Sequence, residues 1–179
     1  VISPCVNVSE FKFTVDEANS VVYGLGAVKG AGEGPIDAIV DARNEGGPFK
    51  DIFDFCERVD SRKVNKRVFD ALIRSGAFDN IAPHRAAMLA CIEEAVKAAE
   101  QSAANASQGM ADLFGNVVPV QENGDVYANV INVRELSDKE RLQGEKDTLG
   151  LYLTGHPLDQ YEQEIRRFAR NRIVDLKPD

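Results

Sequence analysis

The feature that most constrains this chain is the glycine-rich bend Lys29-Gly30-Ala31-Gly32-Glu33-Gly34-Pro35. It lies between the segment Tyr23-Gly24-Leu25-Gly26-Ala27-Val28 and the apolar positions Ile36, Ile39 and Val40. Glycines at 30 and 32 admit positive φ and the close approach of another backbone. Pro35 is read as the first helical residue, so the free N–H groups of the next turn point at the mouth of the bend. A helix start of this kind offers unsatisfied donors and a partial positive charge, both of which hold an anion such as phosphate. A Gly-x-Gly turn feeding an apolar helix face is the signature of a helix-hairpin-helix unit. The same glycines also fit plain punctuation at a helix end, and the residues of the bend leave both readings open.

A second unit repeats the shape. From Lys63 to Ser75, Val64, Val68, Phe69, Leu72 and Ile73 share one side of a helix while Lys63, Arg67, Asp70 and Arg74 line the other. Ser75-Gly76-Ala77-Phe78-Asp79 then breaks that helix, and a long one is expected from about Pro83 to Gln101. Between the two bends the spacing predicts a helix from about Gly34 to Asn44, ended by Gly46-Gly47-Pro48. A short core helix is expected over Phe49 to Val59, burying Phe49, Ile52, Phe53 and Cys56. Upstream, the alternation in Phe11-Lys12-Phe13-Thr14-Val15 and the β-branched Val21-Val22-Tyr23 predict a small β-hairpin. The expected fold is therefore mainly α, with residues 1–101 forming a tandem helix-hairpin-helix globule that carries an N-terminal β-hairpin.

Residues 102–133 differ in composition. Small and polar residues dominate, Pro119, Asn123 and Gly124 punctuate, and the stretch reads as a flexible linker. Within it Met110-Ala111-Asp112-Leu113-Phe114-Gly115 sets an apolar Leu-Phe pair on polar sequence. Order returns at Ser137 and Glu140, a capping box that opens a helix to about Leu149. A bend through Gly155 and Pro157 leads to a further helix from Leu158 to Phe168, so residues 134–179 read as a helical connector. His156 before Pro157 is read as structural.

Net charge is −8, which argues against wholesale coating of a nucleic acid. The charge is segregated, however. Residues 61–85 hold six basic side chains against two acids, and residues 111–165 hold eleven acids against four bases. The residues expected to touch a nucleic-acid backbone are Lys29, Gly30, Ala31, Gly32 and Gly34 in the first bend, Lys63, Lys66, Arg67 and Arg74 on the basic stripe, and Gly76 in the second bend. A stripe of this kind equally fits a solvated helix face. Cys5, Cys56 and Cys91 are odd in number and lack C-x-x-C spacing, and His84 and His156 are the only histidines, so neither metal nor other cofactor is expected. The thiols read as reduced, partly buried packing groups. No nucleophile-base pair or phosphate loop marks a catalytic residue. No apolar run is long enough to span a bilayer and no leader is evident, so no membrane contact and a cytoplasmic location are expected. The chain starts at Val1 and reads as a piece of something longer.

Several blocks in one order resemble the bacterial replicative DNA polymerase III alpha subunit. They are Tyr23-Gly24-Leu25-Gly26-Ala27-Val28-Lys29-Gly30, Phe53-Asp54-Phe55-Cys56, Asn65-Lys66-Arg67-Val68, Leu72-Ile73-Arg74-Ser75-Gly76-Ala77-Phe78-Asp79, Asp112-Leu113-Phe114-Gly115 and Leu149-Gly150-Leu151-Tyr152-Leu153-Thr154-Gly155-His156-Pro157-Leu158. The resemblance spans essentially the whole chain. It implies the region beyond that family's fingers, where a tandem helix-hairpin-helix domain grips duplex DNA and a short linear motif binds the sliding clamp, the beta subunit of the holoenzyme. It also implies that the catalytic carboxylates belong to a palm domain elsewhere, so that this piece of a DNA-directed DNA polymerase, a nucleotidyltransferase, is catalytically silent. The implied clamp motif is Met110, Ala111, Asp112, Leu113 and Phe114, with Met110 standing where the family's motif begins with Gln. Leu113 and Phe114 keep the apolar anchors of such a peptide, whereas Met110 forgoes the amide hydrogen bonds, a loss of roughly 0.5 to 1.5 kcal/mol each.

Two other functions compete with DNA gripping and clamp tethering. In one the bends only pack helices and the acidic chain is a protein-interaction scaffold. In the other the domain is a helix-hairpin-helix glycosylase of DNA repair, echoed by Gly47-Pro48 and Asp51, although no catalytic Lys adjoins a hairpin and no pocket for a flipped base is evident.

Overall fold

A computed structural model describes residues 1–60, 62–107, 127–130 and 132–168. It is mainly helical. Strands β1 (Thr14–Val15) and β2 (Val21–Val22) form an antiparallel pair in which Thr14 faces Val22 and Val15 faces Val21. Ile2 adds a parallel bridge to Val22 on the other side of β2, a pairing that the alternation of residues 11–15 gave no hint of. A single 3-10 turn, Leu25–Ala27, leads to the first bend.

Six α-helices follow among the described residues: α1 (Glu33–Gly46), α2 (Ile52–Arg58), α3 (Lys66–Ser75), α4 (Arg85–Ser107), α5 (Asp138–Leu149) and α6 (Glu162–Phe168). Their ends follow local chemistry. Asp51 caps α2 by accepting from the backbone N–H groups of Phe53 and Asp54, which moves its start past the expected Phe49. The Asn65 side chain does the same for Arg67 and Val68, so α3 begins at Lys66 and not at Lys63. The expected capping box is present at α5, where Ser137 and Glu140 satisfy each other's backbone N–H groups. The Glu140 carboxyl is held down at about 2 by its bonds to Ser137 and the neighbouring Arg134 charge. The last expected helix is split, with a 3-10 turn at Asp159–Tyr161 ahead of α6.

The core is one apolar cluster shared by α1 to α4. Phe49, Phe55, Phe69 and Phe78 form its centre, with Phe55 ring centroids 4.8, 5.6 and 5.0 Å from those of Phe49, Phe69 and Phe78. Fully burying such side chains contributes roughly 1.5–3 kcal/mol each. On α2 the buried set is Ile52, Phe55 and Cys56, while Phe53 is only half-buried; the helix is turned from the expected face because Phe49 precedes it. The expected apolar side of α3 is buried throughout.

Two departures matter for the site. Helix α4 continues six residues past the expected Gln101, so the segment read as linker begins helical. Tyr127, also in that segment, is buried; its hydroxyl donates to the Ile81 carbonyl at 2.7 Å and accepts the Ile52 N–H at 3.2 Å. Helix α5, read as part of a connector, packs on α3 with Leu142 and Leu149 buried. Gly144 permits this, since a Cβ there would lie 3.2 Å from that of Arg74.

Candidate nucleic-acid interface

The first bend is held at its base and open at its tip. Leu25 and Gly26 give their N–H groups to the carbonyls of Glu10 and Phe11, and Lys29 gives its own to Thr148 at 2.8 Å. The Lys29 N–H is thus committed to the protein, as is that of Ala31, which bonds Val28 and is buried. Gly30 and Gly32 take φ of 94° and 77°, and both are exposed together with Glu33 and Gly34. Helix α1 starts at Glu33, which makes Pro35 its third residue and not its first. Gly32 caps the helix without a side-chain acceptor, leaving first-turn N–H groups without a cap at the bend. Glu33 places a like charge beside any anion docked there.

The basic stripe of α3 divides into committed and uncommitted charges. Arg74 Nε bonds both carboxylate oxygens of Asp70, and Lys66 reaches Glu93 at 2.5 Å. The Glu93 charge raises the Lys66 pKa through the same hydrogen bond, and Lys66 lowers that of Glu93. Lys29, Lys63 and Arg67 are exposed and form no ion pair among the described residues. Arg67 of α3 stands beside the first bend: a Cβ on Gly30 would lie 4.0 Å from its Nε.

The second bend is closed. Gly76 ends α3 in the left-handed region at φ 86°, with its N–H given to Ile73 and that of Ala77 given to Leu72. The Arg85 guanidinium covers the bend so closely that a Cβ on Gly76 would lie 2.4 Å from its Nη2. Gly76 is buried and turns the chain; it presents nothing to a phosphate. The N-terminus of α4 is likewise occupied, because His84 Nδ1 accepts the Ala87 N–H.

Arg85 joins elements distant in sequence. It bonds Asp79 at 2.8 Å, the Arg74 carbonyl at 3.1 Å and Glu145 of α5 at 3.1 Å. The Glu145 side chain is fully buried, and its carboxylate also accepts from the N–H groups of Leu153 and Thr154 and from the Thr154 hydroxyl. Burial pushes the Glu145 carboxyl up, but these bonds and the Arg85 charge outweigh it and hold the group below the ordinary carboxylate range. Burial likewise works against the Arg85 charge, and Asp79 and Glu145 overcome it. Neither residue stood out in the sequence as part of a site, because a single Glu on a polar helix reads as solvated.

Other expected features find local roles. Asp51 is a helix cap, and Arg58 fills the Gly46-Gly47-Pro48 bend by donating to the Ala42 and Gly47 carbonyls. His156 accepts the Leu158 N–H on Nδ1, in keeping with a structural role. Cys5, Cys56 and Cys91 are free and buried, and burial drives the thiols of Cys56 and Cys91 up to about 12 and about 11. No group of three His, Cys, Asp or Glu residues gathers at metal-binding distance among the described residues, and no helix there is long and apolar enough to cross a membrane. The expected clamp motif, Met110 to Phe114, lies outside the described residues.

A family model described as a helix-hairpin-helix motif matches residues 1–88. Over 99% of its length the chain is 56% identical to the DNA polymerase III subunit alpha of Pseudomonas aeruginosa, of which it covers 16%. The same share of the chain is 48% identical to the subunit of Vibrio cholerae and 44% identical to that of Escherichia coli, covering 15% of each. The chain is thus homologous, essentially end to end, to one stretch of bacterial DNA polymerase III alpha subunits, and spans less than a fifth of their length.

Proposed function

We propose that this chain, homologous throughout to a stretch of the DNA polymerase III alpha subunit, is a non-catalytic part of a cytoplasmic replicative polymerase. It holds duplex DNA by its backbone and tethers the polymerase to the sliding clamp within the holoenzyme. The observation that carries the DNA half is the open first bend, where exposed Gly30, Gly32 and Gly34 adjoin the uncapped start of α1 and the unpaired Arg67 guanidinium stands beside Gly30, with Lys29 and Lys63 as further exposed cations of the interface. Lys66 and Arg74 contribute to the field from the two ends of α3, and Ala31 shapes the bend from beneath. Gly76 has no part in this interface. Contacts to phosphate alone carry no base sequence, so binding is sequence-independent and weakens with salt as counterions are released.

The clamp half rests on Met110, Ala111, Asp112, Leu113 and Phe114, whose Leu-Phe pair suits an apolar pocket. Two weak contacts on one chain combine through effective concentration into a strong one. Titration of a short labelled duplex at rising salt tests the DNA half, and absence of binding at low salt refutes it. Replacement of Leu113 and Phe114 by Ala abolishes clamp binding and spares DNA binding; an unchanged clamp affinity refutes the second half. The scaffold reading draws on one observation, the loss of Lys66 and Arg74 to carboxylate partners, and the salt titration separates it too.

A further inference from the structure

A bend built on two positive-φ glycines is free to take many shapes, and a binding site needs it fixed before the ligand arrives. In this fold the fixing comes from the far end of the chain. Helix α5 ends at Leu149 and leaves its last carbonyls without helical partners. Two are taken by the segment that leads into the first bend: Tyr23 Oη donates to the Leu149 carbonyl at 3.0 Å, and the Lys29 N–H donates to that of Thr148 at 2.8 Å. The third contact is electrostatic. Lys29 Nζ stands over Gly150, where a Cβ would lie 3.6 Å from it, at the negative end of the helix. Helix α5 is itself bolted to the closed second bend through Glu145 and Arg85, at 3.1 Å with both side chains buried.

We propose that the C-terminal end of α5 is the platform that sets the first bend for DNA, with Tyr23 as the positioning residue and the second bend as the platform's anchor. This rests on the reading of the first bend as a phosphate-binding turn. Tyr23 touches no DNA in this scheme; it acts by holding Lys29 and Gly30 in place.

The test uses the 179-residue chain and a short fluorescent duplex at several salt concentrations, with amide hydrogen exchange measured in parallel. Tyr23→Phe removes one hydroxyl and no charge. It is expected to weaken duplex binding about fivefold, the equivalent of one ordinary hydrogen bond, and to speed exchange of the hydrogen-bonded Lys29 and Ala31 amides. The slope of affinity against salt stays unchanged, because no phosphate contact is lost. Lys63→Ala gives the opposite signature, a reduced slope with normal exchange. A lower melting temperature with unchanged exchange of the Lys29 and Ala31 amides and unchanged affinity makes the tyrosine merely structural and overturns the proposal. Gly150→Ala, which disturbs the left-handed end of α5 at φ 81°, repeats the test should Tyr23→Phe not fold. Faster exchange at the bend in a protein that binds no duplex at all upholds the platform and removes the DNA reading alone.

Discussion

At the first bend Gly30 and Gly32 lie in solvent with Arg67 beside them, whereas at the second Gly76 is buried beneath Arg85. Both bends join helices, and both use left-handed glycine. They differ in where a guanidinium goes. Arg67 has no carboxylate partner among the described residues and is free to meet a phosphate, while Arg85 is committed to Asp79, Glu145 and the end of α3. Repetition of a shape in sequence therefore does not imply repetition of a role. One bend of the pair has been turned into an internal joint that braces the other.

The sharpest way to break this contrast is to remove the joint. Arg85→Ala leaves Glu145 buried without its cation, and loss of one partner of a buried pair costs about 3–5 kcal/mol of stability, measurable by urea unfolding. Arg67→Ala, by the same measurement, changes stability by less than about 0.5 kcal/mol. A matched pair of glycine substitutions comes next. Gly76→Ala and Gly30→Ala each incur about 1–2 kcal/mol for left-handed backbone. Gly76→Ala also displaces the guanidinium, whereas at Gly30 the new methyl meets the Ala71 Cβ at 3.5 Å and Arg67 Nε at 4.0 Å, both ordinary contacts. Unfolding should rank Gly76→Ala as the more damaging, and duplex titration should show the greater loss of affinity per unit of stability for Gly30→Ala.

The cations give a smaller effect. Lys63→Ala and Arg67→Ala each weaken duplex binding by several-fold and lower the salt slope by about 0.9. Lys66→Ala and Arg74→Ala, already paired, change both less. Smallest is the effect of pH. Because the Glu145 carboxyl is depressed in the folded protein, its contribution to stability is full above the ordinary value near 4.3 and fades as pH falls through the lower folded value. Glu145→Gln should flatten that acid limb of a stability-against-pH curve, measured by urea unfolding at a series of pH values.

Local signals were legible in the residues. The α3 stripe follows from spacing alone, the Ser137–Glu140 box from two residues three apart, and the left-handed helix ends from glycine. The joint was not legible, because its chemistry is assembled across distance. Tyr23 meets a carbonyl 126 residues away, and the phenol of Tyr127 reaches Ile81 from 46 residues away. Glu145 sits on a helix whose other residues are largely polar, so no periodicity sets it apart. Asp79 and Arg85 read as charges flanking a turn, and the burial of Arg85 against Glu145 depends on the approach of α5. At the first bend the glycines were legible as a turn, but not the loss of the Lys29 N–H to Thr148, which depends on where α5 comes to rest.

The chain contains no tryptophan and four tyrosines. Two of these phenols, Tyr23 and Tyr127, are enclosed and bonded to backbone carbonyls at 3.0 and 2.7 Å. Intrinsic ultraviolet emission from this protein therefore arises in part from the very contacts that fasten α5 and the segment after α4 to the helical body. Undocking of either piece will register as a change in that light, so the molecule carries an unlabelled optical gauge of its own assembly.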